Sequence, residues 1–267
     1  MCRVKWGEQY SDWFIITAGV RQGGVLSPDF YSIYVDALLS KLMTLNKGCY
    51  LHGVFAAALF YADDMVILAP SLKGLSNLLA ACSDYCLEWD ICLNPKKSRN
   101  LYFGKRTTIS HDITMNGTII QWTDEWVYLG LTLKSGKSFN CSVKDRIKKF
   151  YRCANAIFRI DGSSNDTVML HLVETHCVPL LTYAIEVTYI ANSDERRQLR
   201  VAYNSLFRKI FSYTWRESVS ALQLFLGKPT WEELVDKRHL DFTDRIRECK
   251  RDSLARLCLS LTRIYFI

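Results

Sequence analysis

The sequence predicts an α+β fold, with an antiparallel sheet packed by helices up to about residue 136 and an all-helical region over 137–267. Three observations carry that prediction. Short strand-like runs alternate with two helical patterns as far as Leu133. An Asn-Gly pair at 116–117 sits inside I-T-M-N-G-T-I-I, and Asn-Gly suits the type I′ turn of a tight hairpin. After residue 143 apolar residues recur at helical spacing almost to the end.

The elements follow in chain order. W-F-I-I-T-A-G-V at 13–20 reads as a strand, and the glycine-rich R-Q-G-G-V-L-S-P after it as a loop. Ser27 followed by Pro28 reads as a capping hydroxyl and then a proline at the first helical position. Phe30, Ile33, Tyr34, Ala37, Leu38 and Leu42 then predict a helix over 28–44. The apolar runs 54–61 and 65–69 predict a hairpin with Asp63 and Asp64 at its tip. Helical spacing returns over 72–89, and short strands are expected near 91–93, 99–103 and 127–133. Residues 143–160 pair an apolar face with a stripe of Lys144, Lys148 and Arg152, and D-G-S-S-N at 161–165 reads as a turn. Helices are expected over 166–190, 194–212, 217–226 and 231–260.

Bulk composition narrows the function classes. At 267 residues, 49% hydrophobic and 23% charged, the chain can bury a substantial core. The net charge is +7, and the excess is uneven. Between Lys96 and Arg159 thirteen Lys and Arg face four acids, which points to an anionic partner. The ten cysteines form no C-x-x-C pair and the five histidines complete no zinc pattern, so free thiols in a reducing compartment are expected. No stretch is long and apolar enough to span a membrane and the first residues lack a signal core. An intracellular location, cytoplasm or nucleus, is expected, without secretion.

The acids of A-A-L-F-Y-A-D-D-M-V-I-L-A at 57–69 raise the central question, because an ionised carboxylate is costly to bury. Asp is common in turns for local reasons, since its side chain bonds nearby backbone. The functional alternative is a metal site. Mg²⁺ favours carboxylate oxygens, and two such ions can stabilise the attacking and leaving oxygens of a phosphoryl transfer.

Context favours the second reading. Y-A-D-D between apolar strands resembles the catalytic hairpin of reverse transcriptases. G-V-R-Q-G-G-V-L-S-P-D-F-Y at 19–31 is similar to the motif preceding it, and L-N-P-K-K-S at 93–98 to the lysine-bearing motif after it. V-Y-L-G at 127–130 resembles the primer-grip hairpin. The order and spacing resemble the non-long-terminal-repeat (LINE-type) retrotransposon enzymes. V-P-L-L-T-Y-A-I-E-V at 178–187 and S-V-S-A-L-Q-L-F-L-G-K-P-T at 218–230 extend the likeness. It implies a partial reverse-transcriptase palm over 1–136 and an all-helical thumb and C-terminal region over 137–267.

The same resemblance implies roles. Asp63 is the main metal ligand and Asp64 its neighbour, with Mg²⁺ as cofactor. Tyr61 lies beside the primer terminus. Arg21, Gln22, Gly23 and Gly24 form the floor under the incoming nucleotide and template base, and Lys97 assists pyrophosphate departure. Tyr128, Leu129 and Gly130 form the primer grip. Lys144, Lys148 and Arg152 face the nucleic-acid backbone. The implied partners are an RNA template, a DNA primer and deoxynucleotides.

The family palm has a third carboxylate on an earlier strand, and Asp12, Asp29 and Asp36 are poor replacements for it by position and setting. The expectation is therefore an RNA-directed DNA polymerase fragment, inactive as an isolated chain, that self-associates through uncovered palm surface. The competing expectation is a non-catalytic nucleic-acid-binding remnant of a decayed element. A group II intron maturase is the nearest alternative inside the enzyme class, though its intron-binding domain is not evident.

Overall fold

A computed structural model describes residues 1–16, 19, 23–105, 111–160, 165–188, 193–250 and 253–262. They divide between two compact units, Met1–Pro95 with His111–Ile119, and Lys96–Ser110 with Ile120–Ile267. The division expected near residue 136 falls inside the second unit.

The first unit opens with a two-residue ribbon, β1 (Lys5–Trp6) and β2 (Gln9–Tyr10). Then follow α1 (Ser27–Thr44), β3 (Tyr50–Leu51), β4 (Val54–Phe55), β5 (Ala58–Tyr61), β6 (Asp64–Ile67) and α2 (Leu72–Glu88). α1 and α2 pack side by side and bury Val35, Leu38 and Leu42 against Leu78, Cys82 and Tyr85. The Tyr85 hydroxyl donates to the Tyr34 carbonyl at 2.7 Å, and Tyr34 meets Trp89 edge to face. The core face of the β5–β6 ribbon, Ala58, Phe60, Met65 and Ile67, closes on the same cluster. α2 is capped by Ser71, whose hydroxyl accepts from the Gly74 amide at 3.1 Å. β7 (Ile113–Met115) packs on α2 and turns through Asn116-Gly117 into β8 (Thr118–Ile120). Both turn residues have positive φ, +50° and +72°, as the Asn-Gly pair predicts.

The second unit holds an antiparallel sheet of β9 (Glu125–Tyr128), β10 (Leu131–Lys134) and β11 (Asn140–Ser142), with β10 central. The helices are α3 (Lys144–Ile160), α4 (Asp166–His176), α5 (Val178–Thr182), α6 (Ile185–Thr188), α7 (Ser193–Ile210), α8 (Ser220–Phe225), α9 (Trp231–Glu248) and α10 (Leu254–Thr262). Phe150, Val173, Leu181, Ile185, Leu199, Phe207, Trp231 and Val235 form its core. At about 25 cal/mol per Å² of apolar surface, such side chains each contribute roughly 1.5–3 kcal/mol on burial.

Several expectations are corrected. Ser27 is the first helical residue and not the cap; Leu26 precedes it and makes no capping bond. Residues 13–16 make one bridge, Phe14 to Cys2, and no regular strand; 17, 18 and 20 lie outside the described residues. The run 54–61 is two strands, because Ala56 and Ala57 bond instead to Cys49 and Leu68. Residues 91–93 are not a strand, and 99–103 contribute only parallel bridges at Asn100 and Phe103. The run 127–133 is a hairpin folded at Leu129-Gly130. The stretch 166–190 is broken at Cys177, before Pro179, and at Ala184, whose φ is +48°. α9 stops at Cys249, so 231–260 is two helices. The cysteines are free thiols, as expected.

Candidate active site

The β5–β6 ribbon explains why acids interrupt an apolar run. Its register pairs Ala58 with Ile67, Leu59 with Val66, Phe60 with Met65 and Tyr61 with Asp64. Only Ala62 and Asp63 are left for the turn. Side chains alternate across a strand, so with Phe60 and Met65 on the core, Tyr61 and Asp64 share the outward face. Tyr61 is 63% exposed, and Asp63 and Asp64 are also exposed. The carboxylates therefore stay hydrated although both flanks are anchored. The sequence puts both acids at the tip; the structure keeps Asp63 in the turn and makes Asp64 the first residue of β6.

Ala62 holds the turn in a left-handed conformation, φ +50°, which costs a residue with a Cβ roughly 1–2 kcal/mol. At the other end of the ribbon Gly48, φ +96°, passes so close that an added Cβ would lie 2.3 Å from the Ala57 Cβ. The Cys49 amide donates to the Leu68 carbonyl and Leu68 N–H to Ala57 O, at 3.2 and 2.7 Å. Tyr31, on α1, is an electrostatic neighbour of Asp63. Burial pushes its phenol pKa up first, and the negative charge of Asp63 adds to that. Sequence reasoning passed over Gly48 and Tyr31. Their signals were a lone glycine after Asn46-Lys47 and the last aromatic of the motif at 19–31.

The other predicted positions are as follows. Arg21 and Gln22 lie outside the described residues. Gly23 has φ +76° with nothing within 4 Å of an added Cβ, so its glycine serves the backbone turn and not a tight fit. Gly24 is half-buried, and its carbonyl accepts from the Ser27 amide at 3.2 Å as α1 begins.

Lys97 belongs to the second unit, exposed at the end of a 3₁₀ turn over Pro95–Lys97. There Arg99 donates to the Lys96 and Ser98 carbonyls, both at 2.7 Å, and covers the Trp126 ring at 4.9 Å. Tyr128 ends β9 and pairs with Leu131, so Leu129 and Gly130 are the whole turn. Their φ values, +45° and +75°, make it a type I′ turn built on a leucine. On α3, Lys144, Lys148 and Arg152 are all exposed and spaced by four, which puts them on one stripe. Among the described residues one surface ion pair touches that stripe, Lys148 to Asp145 at 3.8 Å, and such a pair is worth little.

The donor set decides what metal chemistry the hairpin can do. Two exposed carboxylates, one in the turn and one at the start of β6, fit a single hard cation, because Mg²⁺ commonly takes one or two carboxylates and fills its other positions with water and substrate phosphates. They do not complete a two-metal site. Among the described residues no three His, Cys, Asp or Glu side chains stand together to hold a metal.

The comparisons agree with the motifs. Residues 3–133 match the family described as reverse transcriptase (RNA-dependent DNA polymerase). The chain is 27% identical over 258 residues to a probable RNA-directed DNA polymerase from transposon BS of Drosophila melanogaster. That likeness covers 92% of this chain and 28% of the relative. It is 26% identical over 252 residues to the RNA-directed DNA polymerase from mobile element jockey of Drosophila funebris, covering 90% of this chain and 27% of that one. A retrovirus-related Pol polyprotein from type-1 retrotransposable element R2 of Nasonia vitripennis is 30% identical over 133 residues, 46% of this chain and 13% of that protein. The chain thus spans little more than a quarter of the first two relatives' length. The motif order, the family match over residues 3–133 and a likeness running through nine-tenths of its length make this chain similar to the reverse transcriptases of non-long-terminal-repeat retrotransposons.

Proposed function

We propose that this chain carries the carboxylate hairpin, primer grip and thumb of an RNA-directed DNA polymerase, and that it does not polymerise by itself. One observation carries the reading: a two-residue turn, anchored on both flanks in the core, presents Asp63 to solvent beside Tyr61 and Asp64 on the ladder. Asp63 is the metal ligand, Asp64 its neighbour, and Tyr61 the aromatic beside the primer terminus. A bound divalent cation supplies positive charge to phosphate oxygens. Arg21, Gln22, Gly23 and Gly24 line the nucleotide and template base, and Lys97 offers its charge to the departing pyrophosphate. Tyr128, Leu129 and Gly130 grip the primer, and the α3 stripe holds the phosphate backbone without regard to sequence.

The partners are an RNA template, a DNA primer and deoxynucleotides in the cytoplasm or nucleus. No described helix is long and apolar enough to cross a membrane. Exposed Trp6, Trp13, Ile15, Val25, Phe30 and Ile33 give the first unit an apolar surface for self-association.

Inactivity follows from the donor set, because two carboxylates without a third hold a metal pair poorly. A non-catalytic nucleic-acid-binding role is the second reading. It is favoured by the α3 stripe, whose exposure owes nothing to the acids. Mn²⁺ relaxation in amide spectra of the full chain separates the two. The polymerase reading expects the amides from Tyr61 to Met65 to broaden first, and Asp63→Ala to abolish the effect. Broadening that ignores Asp63→Ala, or begins elsewhere, contradicts a metal-holding hairpin.

A further inference from the structure

Two motifs noted separately in the sequence meet in the second unit. The Tyr183 hydroxyl, from V-P-L-L-T-Y-A-I-E-V, donates to the Leu129 carbonyl at 2.9 Å. Leu129 is the first turn residue of V-Y-L-G. The same phenol ring covers Gly130: a Cβ added there would lie 3.2 Å from Tyr183 Cε1. One side chain thus bonds one turn residue and packs on the other, both held at positive φ.

The base of this contact is firm. Tyr183 sits at the break between α5 and α6, with Ala184 left-handed at φ +48°. Leu181 and Thr182 before it and Ile185 after it are 0–2% exposed, whereas Tyr183 is 50% exposed. The chain kinks there between buried neighbours, and the kink turns the tyrosine out to the β9–β10 turn. α5 packs on α3, α4 and α7. The turn projects from the edge of the three-stranded sheet, where β9 pairs with β10 alone. Tied to Tyr183, it moves with the helices that include the basic stripe of α3.

We propose that Tyr183 is a positioning residue that fixes the Leu129–Gly130 turn to the helical body, so that the group addressing the primer terminus keeps register with the group holding the duplex backbone. This rests on reading 128–130 as the primer grip. The test uses the full chain, Tyr183→Phe and Gly130→Ala, with two readouts. Amide exchange at residues 129–131 reads the clamp, and Tyr183→Phe is expected to speed it about fivefold, the factor of one ordinary hydrogen bond. Binding to an RNA-templated DNA primer with a recessed 3′ end, against a blunt duplex of the same sequence, reads the function. Wild type prefers the recessed end, both variants lose about fivefold of that preference, and in Tyr183→Phe blunt-duplex binding stays unchanged. Unaltered exchange in Tyr183→Phe overturns the clamp. A preference that survives both variants overturns the positioning role. A wild type without any end preference overturns the primer-grip reading itself, and the exchange result keeps that failure distinct from failure of the clamp.

Discussion

Asp63 and Asp64 are neighbours in sequence with different structural duties. Asp63 is in the turn, facing the phenol of Tyr31 electrostatically, while Asp64 pairs across the ladder with Tyr61. The dipeptide was legible as an exposed tip because apolar runs flank it. The one-residue offset was not, because it depends on Ala62 accepting a left-handed φ that glycine or asparagine usually takes. Gly48 was illegible for a related reason: its role is a close approach to Ala57, and nothing in the sequence reports a distance. Gly48→Ala is expected to cost about 2–4 kcal/mol in urea unfolding, adding overpacking to positive-φ strain. A change under about 0.5 kcal/mol would show that the contact is relieved without cost.

Among the elements, α1, α2 and α3 agree with the sequence reading to within a residue at each end, and in α3 a periodic apolar face and a charged stripe are both strong signals. Replacing Lys144, Lys148 and Arg152 by Ala is expected to weaken duplex binding evenly across sequences. The slope of log affinity against log salt should fall by about one per cation removed. An unchanged slope would mean that the stripe is only solvated. The breaks at Cys177, Ala184 and Cys249 escaped because helical periodicity runs straight through short interruptions. The 127–133 run reads as one strand by its pattern because Leu129 carries no turn signal; only the resemblance of V-Y-L-G to the primer-grip hairpin pointed to the turn.

α9 adds an expectation about pH. Its capping box joins the Thr230 hydroxyl to the Glu233 amide, and the Glu233 carboxylate accepts from the Thr230 amide at 2.8 Å. That backbone bond, with the hydroxyl second, holds the Glu233 carboxyl below its ordinary value. A depressed carboxyl stabilises the fold above the ordinary Glu range and loses its contribution as pH falls through it. The advantage of wild type over Glu233→Gln should therefore shrink on acidification; a gap that stays constant from pH 7 to pH 3 contradicts this.

At the scale of the molecule, the α+β class and the order of the motifs were legible because each motif marks a local structure. The division into units at Pro95 was not, because it depends on contacts between residues far apart in sequence. The relatives are more than three times as long as the stretch they share with this chain, and the acids at the hairpin have no third carboxylate beside them among the described residues. The central claim is thus a polymerase site presented but incomplete. Primer extension on a homopolymeric RNA template with a DNA primer, deoxynucleotides and Mg²⁺ tests it most directly. The account predicts no incorporation above background by the full chain, with Asp63→Ala indistinguishable from it. Sustained incorporation that disappears in Asp63→Ala would contradict it and show that these two carboxylates suffice.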